Sequence, residues 1–256
     1  MVRVADGSHV HPKAELGRDV TVGPYSLIGE HAVIGDGTTI ASHVVIEGWT
    51  VIGRENKVHH FAVLGTEPQD LKWKGARSLL RIGDRNTIRE FATLNRATDE
   101  GEETRVGNDN LIMSYVHVAH NCVIEDGTIL ANAVNLAGHV HVEERAVIGG
   151  VTPIHQFVRI GRHSMIGGGF RVPKDVPPFV LAGGNPLRAV GINQVGLERR
   201  GFSEETMRSI KEAFRLLYRA GLNRTQAIAR IGAEVPACAE VDTLVRFITE
   251  SQRGTI

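Results

Sequence analysis

Four histidines fall within one short stretch of the sequence, SYVHVAHNCVIEDGTILANAVNLAGHVHV, which spans residues 114–142. These histidines, with the asparagine and glycine that stand beside two of them, are His117, His120, Asn121, Gly138, His139 and His141. Three imidazoles can hold zinc and leave a position open for water. A single imidazole with a near-neutral pKa can instead act as a general base toward a hydroxyl or amine, while a backbone N–H stabilises the oxyanion that develops. The choice depends on how the fold arranges these residues.

The elements that must position these side chains follow a six-residue period. Every sixth residue from Val10 to Val172 gives 28 positions, and 25 of them are Val, Ile or Leu. A helix cannot place a period of six on one face, whereas short strands that turn after every sixth residue can. A sandwich of ordinary strands would not keep this phase over about 160 residues. The period predicts a mainly β fold, a parallel β-helix with three strands and 18 residues per coil, and about eight coils give a prism roughly 40 Å long.

The period also indicates how the chain is divided. It is interrupted at 66–79 and 97–104, which we interpret as loops leaving the corners of the prism. It ends after Val172, where the Pro- and Gly-rich stretch 172–191 is interpreted as a linker and cap. From Ser203, a suitable N-cap, apolar residues recur at helical spacing, and further helices are expected near 225–231 and 241–250. We therefore predict a β-helix over 1–190 and a small helical domain over 191–256.

The 18-residue coil brings the opening residues together. His120 and Gly138 are 18 residues apart, so each should lie about 5 Å from the other at one corner. Asn121 and His139 have the same spacing, and His155 should stack one coil further along the column. Counting strands rather than residues, we expect the loop at 66–79 to leave from this same corner, about 10 Å away along the axis. That loop would bring Asp70 and Lys72 toward the histidines.

Composition and shape restrict the partners of the chain. Lys and Arg together equal Asp and Glu at 29 each, so no basic surplus favours nucleic acid or an anionic membrane. No apolar run approaches the roughly 20 residues of a membrane helix, and the first residues lack a secretory signal. With only two cysteines, a reduced, cytoplasmic location is expected. Because a convex prism has no cleft of its own, we expect a homotrimer with clefts between the prisms.

Three interpretations of the histidines compete. A zinc site would leave Asn121 and the Asp70 and Lys72 loop unexplained. A general base at His120 with the backbone N–H of Gly138 uses the whole corner, and no metal is then required. Ordinary outward-facing surface residues are the third interpretation, which we favour for His141.

Several longer motifs carry a resemblance to a known family. They are QDLKWKG (69–75), IGDRNTIRE (82–90), HVAHNC (117–122), LAGHV (136–140), IHQF (154–157), DVPPFV (175–180), GNP (184–186) and GINQVGLERRGFS (191–203). In combination the chain closely resembles, over essentially its whole length, the acyl-carrier-protein-dependent UDP-N-acetylglucosamine O-acyltransferases that begin lipid A synthesis. The resemblance implies that the β-helix is left-handed. It also implies transfer of an R-3-hydroxyacyl chain from acyl carrier protein to the glucosamine 3-hydroxyl of UDP-N-acetylglucosamine.

The resemblance also implies roles for individual residues. His120 looks like the general base of the family and Gly138 like the backbone donor near the thioester carbonyl. The implied sugar contacts, with their supporting polar residues, are Asp70, His139, Lys72 and His117. On the nucleotide side the matching residues are His155, Gln156, Asn193, Arg199 and Arg200, with Gln156 near the uracil and the arginines serving phosphates. Gly168 matches the position that determines acyl-chain length in the family, and a glycine there favours a longer acyl chain. The acyl donor is carried on the phosphopantetheine of acyl carrier protein, and no other cofactor is implied.

The chain departs from the family pattern at three places. Asn121 stands where the best-known members of the family have Asp after the catalytic histidine, and an amide can orient the imidazole but cannot stabilise its charge as a carboxylate does. TLNRAT (93–98) replaces the usual TIHRGT, and Pro186 occupies a position that is often His. These changes leave open an N-acyltransferase acting on a 3-amino UDP-sugar and an altered acyl donor. A zinc-dependent hexapeptide-repeat carbonic anhydrase and a non-catalytic assembly module remain as alternatives from other classes.

Overall fold

The chain forms a three-sided parallel β-helix followed by a small bundle of helices. A computed structural model describes all of residues 1–256. Along the β-helix the chain visits three sheets in turn, and each strand there pairs in parallel with the strand one coil away. We call these sheets 1, 2 and 3, and name each corner by the two sheets that it joins.

The strand bounds follow the six-residue period. Sheet 1 contains β1 (Arg3–Val4), β4 (Thr21–Val22), β7 (Thr39–Ile40), β10 (Lys57–Val58), β13 (Thr87–Ile88), β16 (Leu111–Ile112), β19 (Ile129–Leu130), β22 (Val147–Ile148), β25 (Met165–Ile166), β26 (Val180–Gly183) and β27 (Arg188–Ile192). Sheet 2 contains β2 (His9–Val10), β5 (Leu27–Ile28), β8 (Val45–Ile46), β11 (Val63–Thr66), β14 (Thr93–Asn95), β17 (His117–Val118), β20 (Asn135–Leu136) and β23 (Pro153–Ile154). Sheet 3 contains β3 (Glu15–Leu16), β6 (Val33–Ile34), β9 (Trp49–Ile52), β12 (Leu79–Ile82), β15 (Glu103–Val106), β18 (Val123–Ile124), β21 (His141–Val142) and β24 (Arg159–Ile160).

The aliphatic residues of the period form the core of the column. All of them except the last lie in strands β2–β25, and Val172 forms an isolated bridge with Ile154. From Val22 onward they are buried in one continuous hydrophobic cluster, while Val10 and Leu16 at the open first coil are only partly covered. Burial of one large aliphatic side chain per strand removes apolar area from water along the entire axis, which stabilises the prism. The predicted β-helix is confirmed.

Both loops leave the column at the corner between sheets 2 and 3. The first connects β11 to β12 and the second connects β14 to β15. The Asn95 side-chain amide anchors the start of the first loop. Its Nδ2 donates to the Glu67 carbonyl at 2.7 Å and to Thr66 Oγ1 at 3.0 Å. The Arg96 guanidinium adds a hydrogen bond to the Gly65 carbonyl at 2.9 Å and lies over the Trp73 ring. The loops therefore project from the corner that also carries His120.

The C-terminal part begins with a hairpin that the sequence analysis did not find. The stretch expected to be a linker and cap forms β26 and β27, which extend sheet 1 by one parallel and one antiparallel pairing. Four helices follow: α1 (Gln194–Arg199), α2 (Glu204–Tyr218), α3 (Arg224–Glu234) and α4 (Ala239–Glu250). The Ser203 side chain caps α2, while the short α1 was not predicted. None of these helices combines the length and apolar character needed to cross a bilayer.

Candidate functional site

His120 and Gly138 lie against each other at the corner between sheets 2 and 3. His120 follows β17 and Gly138 follows β20, which pair in register one coil apart. A Cβ built on Gly138 would lie 2.6 Å from both Cε1 and Nε2 of His120, so only glycine leaves room for the ring. The backbone N–H of Gly138 donates no hydrogen bond within the chain. The expected neighbours are therefore in contact, and a free backbone donor stands beside the imidazole.

The hydrogen bonds of His120 distinguish its two ring nitrogens. Nδ1 lies 2.9 Å from Oδ1 of Asn121, which can only accept, so Nδ1 carries a proton when this bond is formed. Nε2 then carries the lone pair of the neutral ring, on the side that faces Asp70 Oδ2 at 3.8 Å. This separation is too long for a direct hydrogen bond. It leaves Nε2 available to accept a proton from a hydroxyl placed at the corner.

The first loop places Asp70 at this corner. The Lys72 backbone N–H donates to Asp70 Oδ1 at 3.0 Å and is the main cause of the lowered pKa of this carboxyl group. Nearby His120, Lys72 and His139 lower the pKa further. Asp70 is therefore a carboxylate at neutral pH, and it can stabilise positive charge on the His120 ring. The Lys72 side chain itself is exposed.

Two further imidazoles border His120. His117 Nδ1 lies 2.8 Å from Thr93 Oγ1, and burial lowers the pKa of His117 with a smaller contribution from His120. Although the residue is exposed, the His139 ring is covered on two sides, by the edge-on His120 ring at 5.2 Å and the stacked Phe157 ring at 4.6 Å. Burial and the His120 charge lower the pKa of His139 as well. Both rings are therefore neutral near pH 7 and can offer hydrogen bonds without adding charge.

One coil further, the same corner carries His155 and Gln156. His155 Nδ1 lies 3.1 Å from the Arg253 guanidinium, which donates to it from the C-terminal tail. Gln156 is exposed. The corner between sheets 2 and 3 therefore carries polar side chains on successive coils, with the exposed ring of Phe157 among them.

The remaining predicted residues lie at other corners of the same chain. Gly168 follows β25 at the corner between sheets 1 and 2, and a Cβ there would lie 2.9 Å from the Gly150 carbonyl. Asn193 caps α1 and its Nδ2 donates to the His163 carbonyl at 2.9 Å, at the corner between sheets 3 and 1. Arg199 and Arg200 at the end of α1 are exposed, and Arg200 contributes to the lowered pKa of His163. One chain by itself does not bring these residues to His120.

The geometry of single residues also bears on the metal interpretation. No group of three or more His, Cys, Asp or Glu side chains in the chain is arranged to hold a metal ion. His141 lies on sheet 3, where its Nε2 is within hydrogen-bond distance of Glu125 Oε1 at 2.8 Å. The nitrogen Nδ1 of both His117 and His120 is already used by a neighbouring side chain.

Several residues at the corner were missed by the sequence analysis. They are Thr93, Thr98, Glu102 and Arg253. Glu102 belongs to the second loop and accepts a hydrogen bond from Asn121 Nδ2. The signal for it was present, because counting strands places the second loop one coil from His120 at the same corner.

The chain also contains a groove of about 780 Å³ between β27 and α2. Arginine and lysine side chains of α2 line it, together with Glu205 and Glu212. None of the predicted site residues lies in this groove, so it is separate from the His120 corner.

Comparison with known proteins identifies the profiles, relatives and solved structures that this chain is similar to. The profile described as UDP-N-acetylglucosamine O-acyltransferase, domain 2, matches residues 175–256, and the bacterial transferase hexapeptide profile matches 31–66 and 103–138. The chain is 51% identical over 249 residues to an acyl-[acyl-carrier-protein]–UDP-N-acetylglucosamine O-acyltransferase from Thiobacillus denitrificans, covering 96% of each chain. A relative of the same name from Gloeothece citriformis is 54% identical over 167 residues, which cover 65% of this chain and 60% of the relative. The crystal structure of a UDP-N-acetylglucosamine acyltransferase from Bacteroides fragilis superposes with a TM-score of 0.96 at 43% identity, covering 98% of this chain and 99% of that one. Together with the match to the hexapeptide profile, this structural similarity identifies the chain as a left-handed β-helix with a small helical C-terminal part.

Proposed function

The chain belongs to the family of acyl-[acyl-carrier-protein]–UDP-N-acetylglucosamine O-acyltransferases, and from that membership we propose its reaction. It transfers an R-3-hydroxyacyl chain from acyl carrier protein to the glucosamine 3-hydroxyl of UDP-N-acetylglucosamine, the first step of lipid A synthesis. The acyl chain arrives as a thioester on phosphopantetheine, and no other cofactor takes part. The reaction takes place in the cytoplasm, where the acyl carrier protein and the nucleotide sugar meet.

The observation that carries this proposal is the pairing of His120 with Gly138. Nε2 of His120 takes the proton of the attacking hydroxyl, because Nδ1 is committed to Asn121. The hydroxyl oxygen bonds to the thioester carbon, and the carbonyl oxygen becomes an oxyanion that the free N–H of Gly138 stabilises. The C–S bond then breaks, and the imidazolium returns its proton to the leaving thiolate. Ester and thiol are the products, and the base is restored.

The neighbouring side chains support charge and orientation in this mechanism. Asp70, a carboxylate 3.8 Å from Nε2, stabilises the imidazolium while it carries the transferred proton. His139 and His117, both neutral, contact sugar hydroxyls together with Asp70 and Lys72. His155 and Gln156 serve the nucleotide further along the same corner. Gly168 leaves the acyl groove open for a longer chain.

We propose that the working form is a homotrimer in which each site is shared between two chains. His120 lies at the corner between sheets 2 and 3, while Asn193, Arg199 and Arg200 lie at the corner between sheets 3 and 1. A substrate with both a reacting sugar and a diphosphate needs the base and the arginines together. Two prisms packed side by side place these different corners on opposite walls of one cleft.

The chemical assignment is tested with product analysis. The protein is incubated with UDP-N-acetylglucosamine and a mixture of R-3-hydroxyacyl carrier proteins, and the products are identified by mass and by their sensitivity to mild base. We expect an ester at the 3-position and loss of turnover in His120→Ala. The control is His31→Ala, which removes another histidine at the same corner, four coils away, where it stacks on Trp49. Undiminished turnover in His120→Ala rejects the base. An amide formed preferentially on a 3-amino UDP-sugar replaces the proposal with N-acylation.

The shared site is tested by mixing two inactive variants. His120→Ala and Arg200→Ala chains are unfolded together, refolded in equal amounts and assayed. If the two residues of one site come from different chains, random trimers recover about one quarter of the wild-type sites. If both come from the same chain, no activity returns, and the proposed sharing is wrong.

A further inference from the structure

The Asn121 side chain connects His120 to a carboxylate from the second loop. Its Oδ1 accepts from His120 Nδ1 at 2.9 Å and from the Thr98 backbone N–H at 3.2 Å. Its Nδ2 donates to Glu102 Oε2. The backbone of Asn121 is held as well, because its N–H donates to Thr104 Oγ1 at 2.8 Å and its φ of 60° suits asparagine. The amide therefore has a fixed place and a defined partner on each side.

The direction of this amide decides which nitrogen of His120 carries the proton. With Nδ2 toward His120, the amide would donate to Nδ1 and leave the proton on Nε2, which could then not accept one from a hydroxyl. The same flip would turn Oδ1 toward the Glu102 carboxylate, which cannot donate, and Nδ2 toward the Thr98 N–H, which cannot accept. Both mismatches oppose the flipped amide. Glu102 and Thr98 thus hold the amide in the orientation that leaves Nε2 free.

The negative charge of Glu102 also affects the side chains at the His120 corner. Asn121 carries no charge, so the imidazolium lacks the adjacent carboxylate that an aspartate at this position would provide. The carboxylate of Glu102, one amide away, polarises the amide so that its Oδ1 becomes a better acceptor for Nδ1–H. Glu102 and Asp70 also act together on His139, whose pKa they raise against the larger effect of burial. The second loop therefore contributes negative charge on the side opposite Asp70.

From this chain of contacts we propose that Glu102 is a positioning residue that sets the tautomer of His120 through Asn121. The inference rests on the general-base function proposed above. It assigns to the second loop a part in catalysis that neither the repeat nor the histidine motif indicates. Glu102 with Asn121 does here, in two steps, what a carboxylate in direct contact with the imidazole would do in one.

The test uses the isosteric variant Glu102→Gln. Glutamine can donate as well as accept, so it no longer prevents the amide of Asn121 from turning, and Thr98 alone restrains it. We expect kcat to fall about 10- to 100-fold, as for a lost hydrogen bond to a charged group, while KM for both substrates stays within twofold of wild type. The matched control is Glu103→Gln, which removes the adjacent carboxylate that pairs with Arg81 and should leave kcat unchanged.

A second substitution separates positioning from a merely structural role. N121D places a carboxylate directly on His120 Nδ1, and beside Glu102 it also creates a repulsive carboxylate pair. We expect the N121D/E102Q double variant to be more active than either single variant, because it keeps one carboxylate and removes the repulsion. Additive losses in the double variant would overturn the proposal.

A spectroscopic measurement is independent of turnover. In protein labelled with ¹⁵N-histidine, the His120 signals are identified by their loss in His120→Ala, and their shifts distinguish the Nδ1–H from the Nε2–H tautomer. We expect the Nδ1–H form in wild type and Glu103→Gln, and a shift toward Nε2–H in Glu102→Gln. An unchanged tautomer together with unchanged kcat rejects the role of Glu102. A protein that shows the tautomer change but transfers no acyl group would instead reject the proposed reaction alone.

Discussion

Replacing Gly138 with alanine tests the central contact of the site. The new Cβ would lie 2.6 Å from Cε1 and Nε2 of His120, whereas ordinary van der Waals contact begins near 3.4 Å. The ring must therefore retreat by about 0.8 Å, the difference between these two distances. Such a movement lengthens the 2.9 Å contact between Nδ1 and Asn121 or presses the ring against His139, whose centroid is 5.2 Å away.

The expected loss of activity is large, whereas the expected loss of stability is small. A displacement near 1 Å at a reacting group can lower the rate about 10²-fold, equivalent to about 2.7 kcal/mol of transition-state stabilisation. Alanine keeps the backbone N–H, so the proposed oxyanion donor remains and the effect reports on the position of the proposed base. Gly138 is not in the left-handed region, so alanine at its backbone angles is not strained there and reduces the entropy of the unfolded chain.

The assay is steady-state acyl transfer from hydroxyacyl carrier protein, combined with thermal unfolding. We expect kcat to fall about 100-fold in Gly138→Ala, with KM little changed and the protein still folded. Gly29→Ala is the control at the same corner, five coils from Gly138, because its Cβ would meet only backbone atoms, the Ile46 carbonyl oxygen at 3.2 Å and Glu47 Cα at 3.4 Å. Turnover within threefold of wild type in Gly138→Ala would refute the reasoning that ring position controls the rate.

Two further predictions concern buried ionisable groups. Burial, with the charges of nearby arginines, lowers the pKa of His163 from 6.5 to about 4. The folded chain then binds fewer protons than the unfolded chain between these values, so stability rises with pH across this window and is lost as pH falls through it. His163→Gln should flatten the slope of the unfolding free energy between pH 4.5 and 6.5, measured by urea titration, and an unchanged slope would exclude His163 as its source. Burial also raises the pKa of the Cys122 thiol to about 12, so a thiol reagent should modify Cys122 only after unfolding, with Cys122→Ser as the control. Rapid modification of Cys122 in the native protein would contradict this.

The contact between His120 and Gly138 was predictable because the fold repeats. In a parallel β-helix with 18 residues per uninterrupted coil, sequence spacing alone decides which residues are neighbours, and the observed register of β17 with β20 keeps that spacing. The first loop was predictable at the His120 corner for the same reason. The strand positions were equally accessible, since one large aliphatic residue per strand must face the core.

The conformation of the second loop could not be predicted from sequence spacing. Strand counting would have placed this loop at the corner but was applied only to the first loop, and the reach of Glu102 to Asn121 depends on the conformation of an irregular segment that no period describes. The hairpin β26–β27 and the short α1 were missed for a related reason. Their Pro- and Gly-rich sequence has the composition of a linker, and only pairing with β25 makes it sheet.

The tertiary structure was also needed to show that the predicted residues lie at different corners. The family motifs name His120, Gly168 and Arg200 together, yet one chain holds them at three separate corners of the column. By itself, the amino-acid sequence determined the β-helix, its register and the contact between a histidine and a glycine, because a strict period converts spacing into proximity. Only the tertiary structure decided which nitrogen of that histidine faces outward, because this depends on side chains from loops whose paths are set by packing and hydrogen bonds rather than by the repeat.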